Sequence, residues 1–177
     1  MFLDNRILKF ELKLLHLAII TFFGTGYFKI IPGTFASLFT SIILFYLFKS
    51  INSINYFFIC CLVIFLIFIY SFYAIQKLKN EFKEIDAKEI VIDEVFGQAI
   101  PILFIEYLSF IKFQFFGAAL ELYIISFFLF RFFDILKPFP INYFDKNYKN
   151  SFGIMFDDLL AGIYSSIIIF LVLMVVY

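Results

Sequence analysis

Apolar residues in this chain run in long unbroken stretches instead of alternating with polar ones, a pattern that predicts buried or membrane-crossing helices and no half-buried strands. Five stretches, about 33–50, 54–76, 91–110, 114–133 and 157–177, approach the roughly 20 residues that a helix needs to cross a bilayer. A sixth, 14–31, is broken by Gly24-Thr25-Gly26, carries Lys29 and stops at Pro32. Glycine and proline interrupt helices, so this segment is expected to be a short re-entrant or interfacial helix, its broken backbone covered by protein. The pattern therefore predicts an all-α, polytopic membrane bundle of about five spanning helices plus that short N-terminal helix. Residues 1–177 are read as one integral membrane domain, because no linker or internal repeat divides them.

Composition strengthens this reading. Of the 177 residues, 64% are hydrophobic and 16% charged, with a mean hydropathy of +1.01. Soluble domains sit near about 45–50% apolar and about 25% charged, so there is too little polar surface here to coat a water-exposed globule. The formal net charge is zero, which points away from a nucleic-acid partner. Cys60 and Cys61 are adjacent within an apolar run and are read as packing residues, not a redox or metal pair. Arg6, Lys9 and Lys13 precede the first apolar segment without a small-residue cleavage site after it, so that segment is expected to be retained. The lone histidine, His16, is read as structural or as a headgroup contact.

Basic residues cluster at Arg6/Lys9/Lys13, at Lys77/Lys79/Lys83/Lys88 and at Lys137/Lys146/Lys149, with isolated lysines at 49 and 112. If the three clusters are cytoplasmic, as positive charge near membrane segments favours, the 14–31 segment does not cross and the five others do. The Pro32-Gly33-Thr34 turn, Asp93-Glu94, Asp134 and Asp157-Asp158 then converge on one membrane face, the cytoplasmic one.

Carboxylates beside hydrophobic helices are costly and point to function. Asp93 and Gly97 share a helix face, as do Glu94 and Gln98. Arg131, Asp134 and Lys137 recur every three residues and lie near one another on a helix. Asp157 and Asp158 open the final apolar run. One carboxylate suffices to cap a helix, so the second is left for chemistry, about 100° round the helix from the first. Asp158, with Gly162 one turn on, is the expected direct metal ligand, and Asp157 the residue that braces it. Asp93, Glu94, Asp134, Asp157 and Asp158 are the catalytic candidates, with Asp93, Glu94, Asp134 and Asp158 as metal ligands. Oxygen-only donors without histidine or thiolate suit Mg²⁺. Arg131 and Lys137, with Gly33 and Thr34, are the candidates for holding a phosphate. Together they point to a metal-assisted attack on a phosphate ester at the lipid headgroup level.

These residues also carry a resemblance. Gly24-Thr-Gly…Pro32-Gly-Thr34, Asp93-Glu-Val-Phe-Gly97, Arg131-Phe-Phe-Asp-Ile-Leu-Lys-Pro-Phe-Pro-Ile141 with Asp145, and Gly153-Ile-Met-Phe-Asp-Asp158 with Ala161-Gly162 occur in the order seen in phosphatidylglycerophosphatase A. The chain resembles that family from about residue 16 to 170. The resemblance implies an all-helical, Mg²⁺-dependent phosphatase of the bacterial cytoplasmic (inner) membrane. It would convert phosphatidylglycerophosphate to phosphatidylglycerol and inorganic phosphate in phospholipid biosynthesis, with membrane lipid as its partner. The family's acidic positions fall on Asp93, Glu94, Asp134, Asp157 and Asp158, and its Lys-Pro motif on Lys137. Lys29, Ala36 and Phe139 depart from the family pattern, which affects loop shape and not the acids.

Two other readings stand beside it. A CDP-alcohol phosphotransferase-like enzyme also uses aspartates at the membrane face, but its Asp-Gly…Ala-Arg…Gly…Asp…Asp spacing is missing. A non-enzymatic transporter or scaffold would place charge along a path near the midplane, whereas here the acids gather at one end. Cysteine-based, two-histidine and Asp-x-Asp phosphatase signatures are likewise missing.

Overall fold

In a computed structural model of the chain, described for residues 2–51, 53–78, 81–82, 87–111 and 119–176, the described residues form helices and connecting turns, with no strand. The helices are α1 (Phe2–Ile20), α2 (Pro32–Ser50), α3 (Ile54–Leu78), α4 (Ile92–Phe110), α5 (Ala119–Leu136), α6 (Ile141–Asn147) and α7 (Ser151–Val176). Lys79, Lys83 and Lys112, used above for orientation, lie outside the described residues.

Three of these helices, α2, α3 and α7, are long and apolar enough to cross a membrane. The other two expected crossings, α4 and α5, are helical but more charged: α4 carries Asp93, Glu94 and Glu106, and α5 carries Glu121, Arg131 and Asp134. The first helix differs from expectation. It is not a short piece within 14–31 but a 19-residue helix that ends at Ile20. Its charged N-terminal half contains no glycine or proline, so nothing stops the helix from starting early. The break comes where expected: Phe22, Phe23 and Gly24 all have positive φ, and a 3₁₀ turn follows at Thr25–Tyr27. His16 on α1 is hydrogen-bonded through Nδ1 to the Tyr70 hydroxyl (2.6 Å), which fastens this helix to α3, and Lys13 pairs with Glu81 just beyond the end of α3.

The largest seam is between α4 and α7, and two glycines make it possible. A Cβ on Gly162 would collide with the Gly97 carbonyl, and one on Gly97 would strike the Asp158 carbonyl and the Phe130 ring. Close backbone approach at small residues is how helices gain contact where no hydrophobic force separates lipid from side chain. α4 is wedged between α7 and α2, α5 lies along α7, and the short α6 folds back on the start of α7. Around that frame, Leu44, Phe48, Phe57, Ile102, Ile105, Leu122 and Ile169 form the main core, while Phe130, Ile141 and Ala161 pack below the acidic end. Hydroxyls inside the bundle bond their own helices: Ser37, Thr40, Ser41, Ser165 and Ser166 each donate to the carbonyl four residues earlier, so none is left bare in an apolar setting.

Candidate active site

Four stretches of chain meet at one end of the bundle. Asp93 and Glu94 stand in the first turn of α4. Asp157 and Asp158 do not open the final helix as expected: α7 starts at Ser151, where Asn150 supplies the cap, so both acids stand inside the helix, with the Asp158 carbonyl beside Gly97. Asp134 comes from the last turns of α5, and Lys137 follows directly after that helix. Asp145 comes from α6, and Tyr148 and Lys149 from the turn that enters α7. Asp93, Glu94, Asp134, Lys137, Asp145, Tyr148, Lys149, Asp157 and Asp158, with Gly153 and Ile154, line one cavity of about 110 Å³.

The local geometry follows from the residues present. Lys137 adopts a left-handed backbone (φ 43°), which costs roughly 1–2 kcal/mol for a residue with a side chain. Strain of this kind is held where surrounding structure fixes it, commonly at sites. Here it ends α5 and aims the Lys137 ammonium between Asp145 and Asp157, 2.8 Å from the Asp157 carboxylate. Burial works against its charge, but the hydrogen bonds it donates to Asp145 and Asp157 outweigh that and raise the Lys137 pKa above the usual lysine range. Asn150 caps α7 by accepting the Gly153 backbone N–H (2.9 Å). Gly153 has no side chain because the Tyr148 carbonyl occupies that space. The 148–150 turn is thus pressed against α7, with Tyr148 and Lys149 on the cavity.

The deepest part is a trio of carboxylates. Asp93, Glu94 and Asp158 each offer one oxygen, all within 4.8 Å of one another, and Asp93 and Asp158 are 8% and 4% exposed. Asp93 Oδ1 and Glu94 Oε2 are buried without a hydrogen-bond partner among the described residues. Asp134 lies close enough to Asp158 for the two carboxyls to interact. Buried like charges without donors repel one another and lack solvation, an arrangement that a bound cation relieves. The donors are all carboxylate oxygens, so the trio could hold a divalent cation.

The remaining sequence candidates are placed as follows. Asp134 and Lys137 line the cavity; Asp157 does too, but its carboxylate is engaged by Lys137, whereas Asp158 belongs to the trio. Arg131 does not line the cavity. It is ion-paired with Asp134 (2.6 Å) and sits over the Phe130 ring. Gly33 is packed against the Glu94 carboxylate, leaving no room for a Cβ. Thr34 is half-buried beside it and is not on the cavity lining. Sequence reasoning missed Tyr148 and Lys149, and passed over Asp145 although it closes the Arg131 motif. A usable signal was present: Lys149 stands eight residues before Asp157, just ahead of the asparagine cap of the helix that bears it.

The family model described as Phosphatidylglycerophosphatase A matches residues 18–173. The chain is 39% identical over 148 residues to phosphatidylglycerophosphatase A of Haemophilus influenzae, covering 84% of this chain and 82% of that one. It is 31% identical over 150 residues to the Escherichia coli K12 protein of the same name, covering 85% and 78%. A protein of Bacteroides thetaiotaomicron, provisionally named a phosphatidylinositol-3-phosphatase, is 33% identical over 150 residues, covering 84% and 87%. No solved structure matches significantly.

Proposed function

The chain belongs to the phosphatidylglycerophosphatase A family, and on that premise we propose that it hydrolyses phosphatidylglycerophosphate to phosphatidylglycerol and inorganic phosphate. The observation that carries the proposal is the trio Asp93, Glu94 and Asp158, three carboxylates within 4.8 Å with buried oxygens unpartnered. Their hard oxygen donors suit Mg²⁺, which when bound supplies the positive charge that a phosphate monoester needs at an acidic site.

The chain's own residues do the rest. Lys137, held charged by Asp145 and Asp157, faces the phosphoryl group from the opposite wall. Asp134, fixed by Arg131, orients the attacking water and takes its proton. Asp157 holds Lys137 in place and braces Asp158, its neighbour on α7. Gly33 lets α2 close over Glu94 without a side chain in the way. The atoms balance simply: water's oxygen joins phosphorus, the ester oxygen leaves on the glycerol, and a proton reaches it from the site.

The basic clusters support five crossings with the site at the cytoplasmic face of the inner membrane. Cysteines placed within 77–88 and 137–150, in a chain with Cys60 and Cys61 changed to Ala, are then shielded from an impermeant thiol reagent in intact cells. A cysteine near Lys112 is labelled. Labelling of the basic segments would invert this topology.

Activity is tested on the purified protein in mixed micelles. Phosphate release from phosphatidylglycerophosphate should need Mg²⁺, stop on chelation and return when the metal is restored. Full turnover in excess chelator would overturn the metal reading, and no turnover with any divalent cation would overturn the substrate.

A further inference from the structure

The proposed lipid carries two phosphates: the terminal monoester that is cleaved and the phosphodiester that stays with the product. The carboxylate trio accounts for the first. The second is also anionic, and a site lined by Asp93, Glu94, Asp134, Asp145, Asp157 and Asp158 repels it unless a cation answers it.

Three basic side chains are near. Arg131 is spent on Asp134 and is off the cavity lining. Lys137, ion-paired with Asp145 and Asp157, is the cation already assigned above to the monoester. Lys149 lines the cavity, is exposed, and makes no hydrogen bond or ion pair among the described residues. Its backbone position is held by the fold: the Tyr148 carbonyl packs on Gly153 and Asn150 caps α7. A lysine on a fixed turn at the rim of an acidic cavity is a point charge directed at whatever bridges the cavity and the surrounding lipid surface.

Resting on the reading above, we propose that Lys149 is a specificity-determining residue that binds the substrate's phosphodiester while the monoester occupies the trio. The chemistry recognised is a phosphomonoester separated from a phosphodiester by a short polyol. A lipid with the monoester alone, such as phosphatidate, lacks the group that Lys149 reads. The competing role is that of a general cation at the membrane surface, which would favour every anionic lipid alike.

The two roles separate in one experiment at fixed ionic strength. Lys149→Ala should raise KM for phosphatidylglycerophosphate about tenfold, equivalent to about 1.4 kcal/mol, with kcat little changed. Lys149→Arg should restore most of it. KM for phosphatidate, or its inhibition constant as a competitor if it turns over too slowly, should not move. Lys146→Ala, on an exposed α6 lysine away from the cavity lining, should leave both lipids unaffected. Equal weakening of both lipids by Lys149→Ala would assign it to the monoester or to general surface charge, and weakening of neither would make it a solvated lysine. Either result overturns this inference while wild-type hydrolysis of phosphatidylglycerophosphate still stands. Failure of the wild-type enzyme on that lipid would instead overturn the substrate itself.

Discussion

α4 carries acids at both ends, and the two ends are built differently. Near its last turns Glu106 accepts one hydrogen bond from the Tyr123 hydroxyl on α5 (2.8 Å). Gln98, midway, donates to Ser126 on the same partner helix. Each of these is a single polar side chain with one neutral partner, although the Gln98 Oε1 atom is buried with no hydrogen-bond partner among the described residues. In the first turn Asp93 and Glu94 meet another acid, Asp158, and keep buried oxygens with no donor. About 20 Å of helix separates the two settings. A carboxylate that finds a hydroxyl can be held by the fold alone, whereas three carboxylates gathered together could hold a cation.

The sharpest way to break this contrast is Asp158→Asn. It removes one charge from the trio and should cut kcat/KM by on the order of 10²–10³-fold and raise the Mg²⁺ concentration needed for half-maximal rate. A full rate at ordinary Mg²⁺ would move the metal elsewhere. Asp157→Asn should cost less, about 10–100-fold, with the Mg²⁺ requirement nearly unchanged, because Asp157 faces Lys137 and not the trio. A larger rise in Mg²⁺ requirement for Asp157→Asn than for Asp158→Asn would reverse the two roles.

Gly162→Ala tests whether the helix crossing sets the site. Its methyl meets the Gly97 carbonyl, so α4 and α7 must separate. The expected cost is about 1–3 kcal/mol of stability, read as a lower thermal midpoint in detergent, with a loss of rate that added Mg²⁺ does not recover. The smallest effect belongs to the other end of α4. Glu106→Gln keeps a hydrogen bond with Tyr123 and should change kcat/KM by less than about threefold, while Tyr123→Phe costs about 1 kcal/mol of stability. A large rate loss in Glu106→Gln would mean that the two ends of α4 are one functional unit.

Much of the local structure was legible beforehand. The interruption at Gly24-Thr25-Gly26 and the helix stop before Pro138 follow from backbone preferences that act within a few residues. The early start of α1 was not, because charged residues at 9, 11 and 13 resemble a loop to a hydropathy reading although they are adequate helix formers. The roles of the cations were also out of reach. Arg131, Asp134 and Lys137 share a helical spacing on paper, yet the left-handed turn at Lys137 takes that side chain off the helix and gives it to Asp145 and Asp157.

What the sequence by itself determined is the helical, membrane-type character of the chain and the Asp93-Glu94 pair at the start of α4 with Gly97 one turn on. Each depends on composition or on neighbours three or four residues away, where geometry is set by the helix. Tertiary structure alone decided which three acids converge, that Arg131 pairs with Asp134 and is not on the cavity lining, and that Lys149 lies on the lining with no acidic partner among the described residues. Those outcomes hinge on where α4 and α7 cross and how α6 folds back, and the α4–α7 contacts join residues about 65 positions apart in the chain. No spacing rule reaches that far, because the relative placement of two helices is set by the packing of whole surfaces and not by any local run of residues.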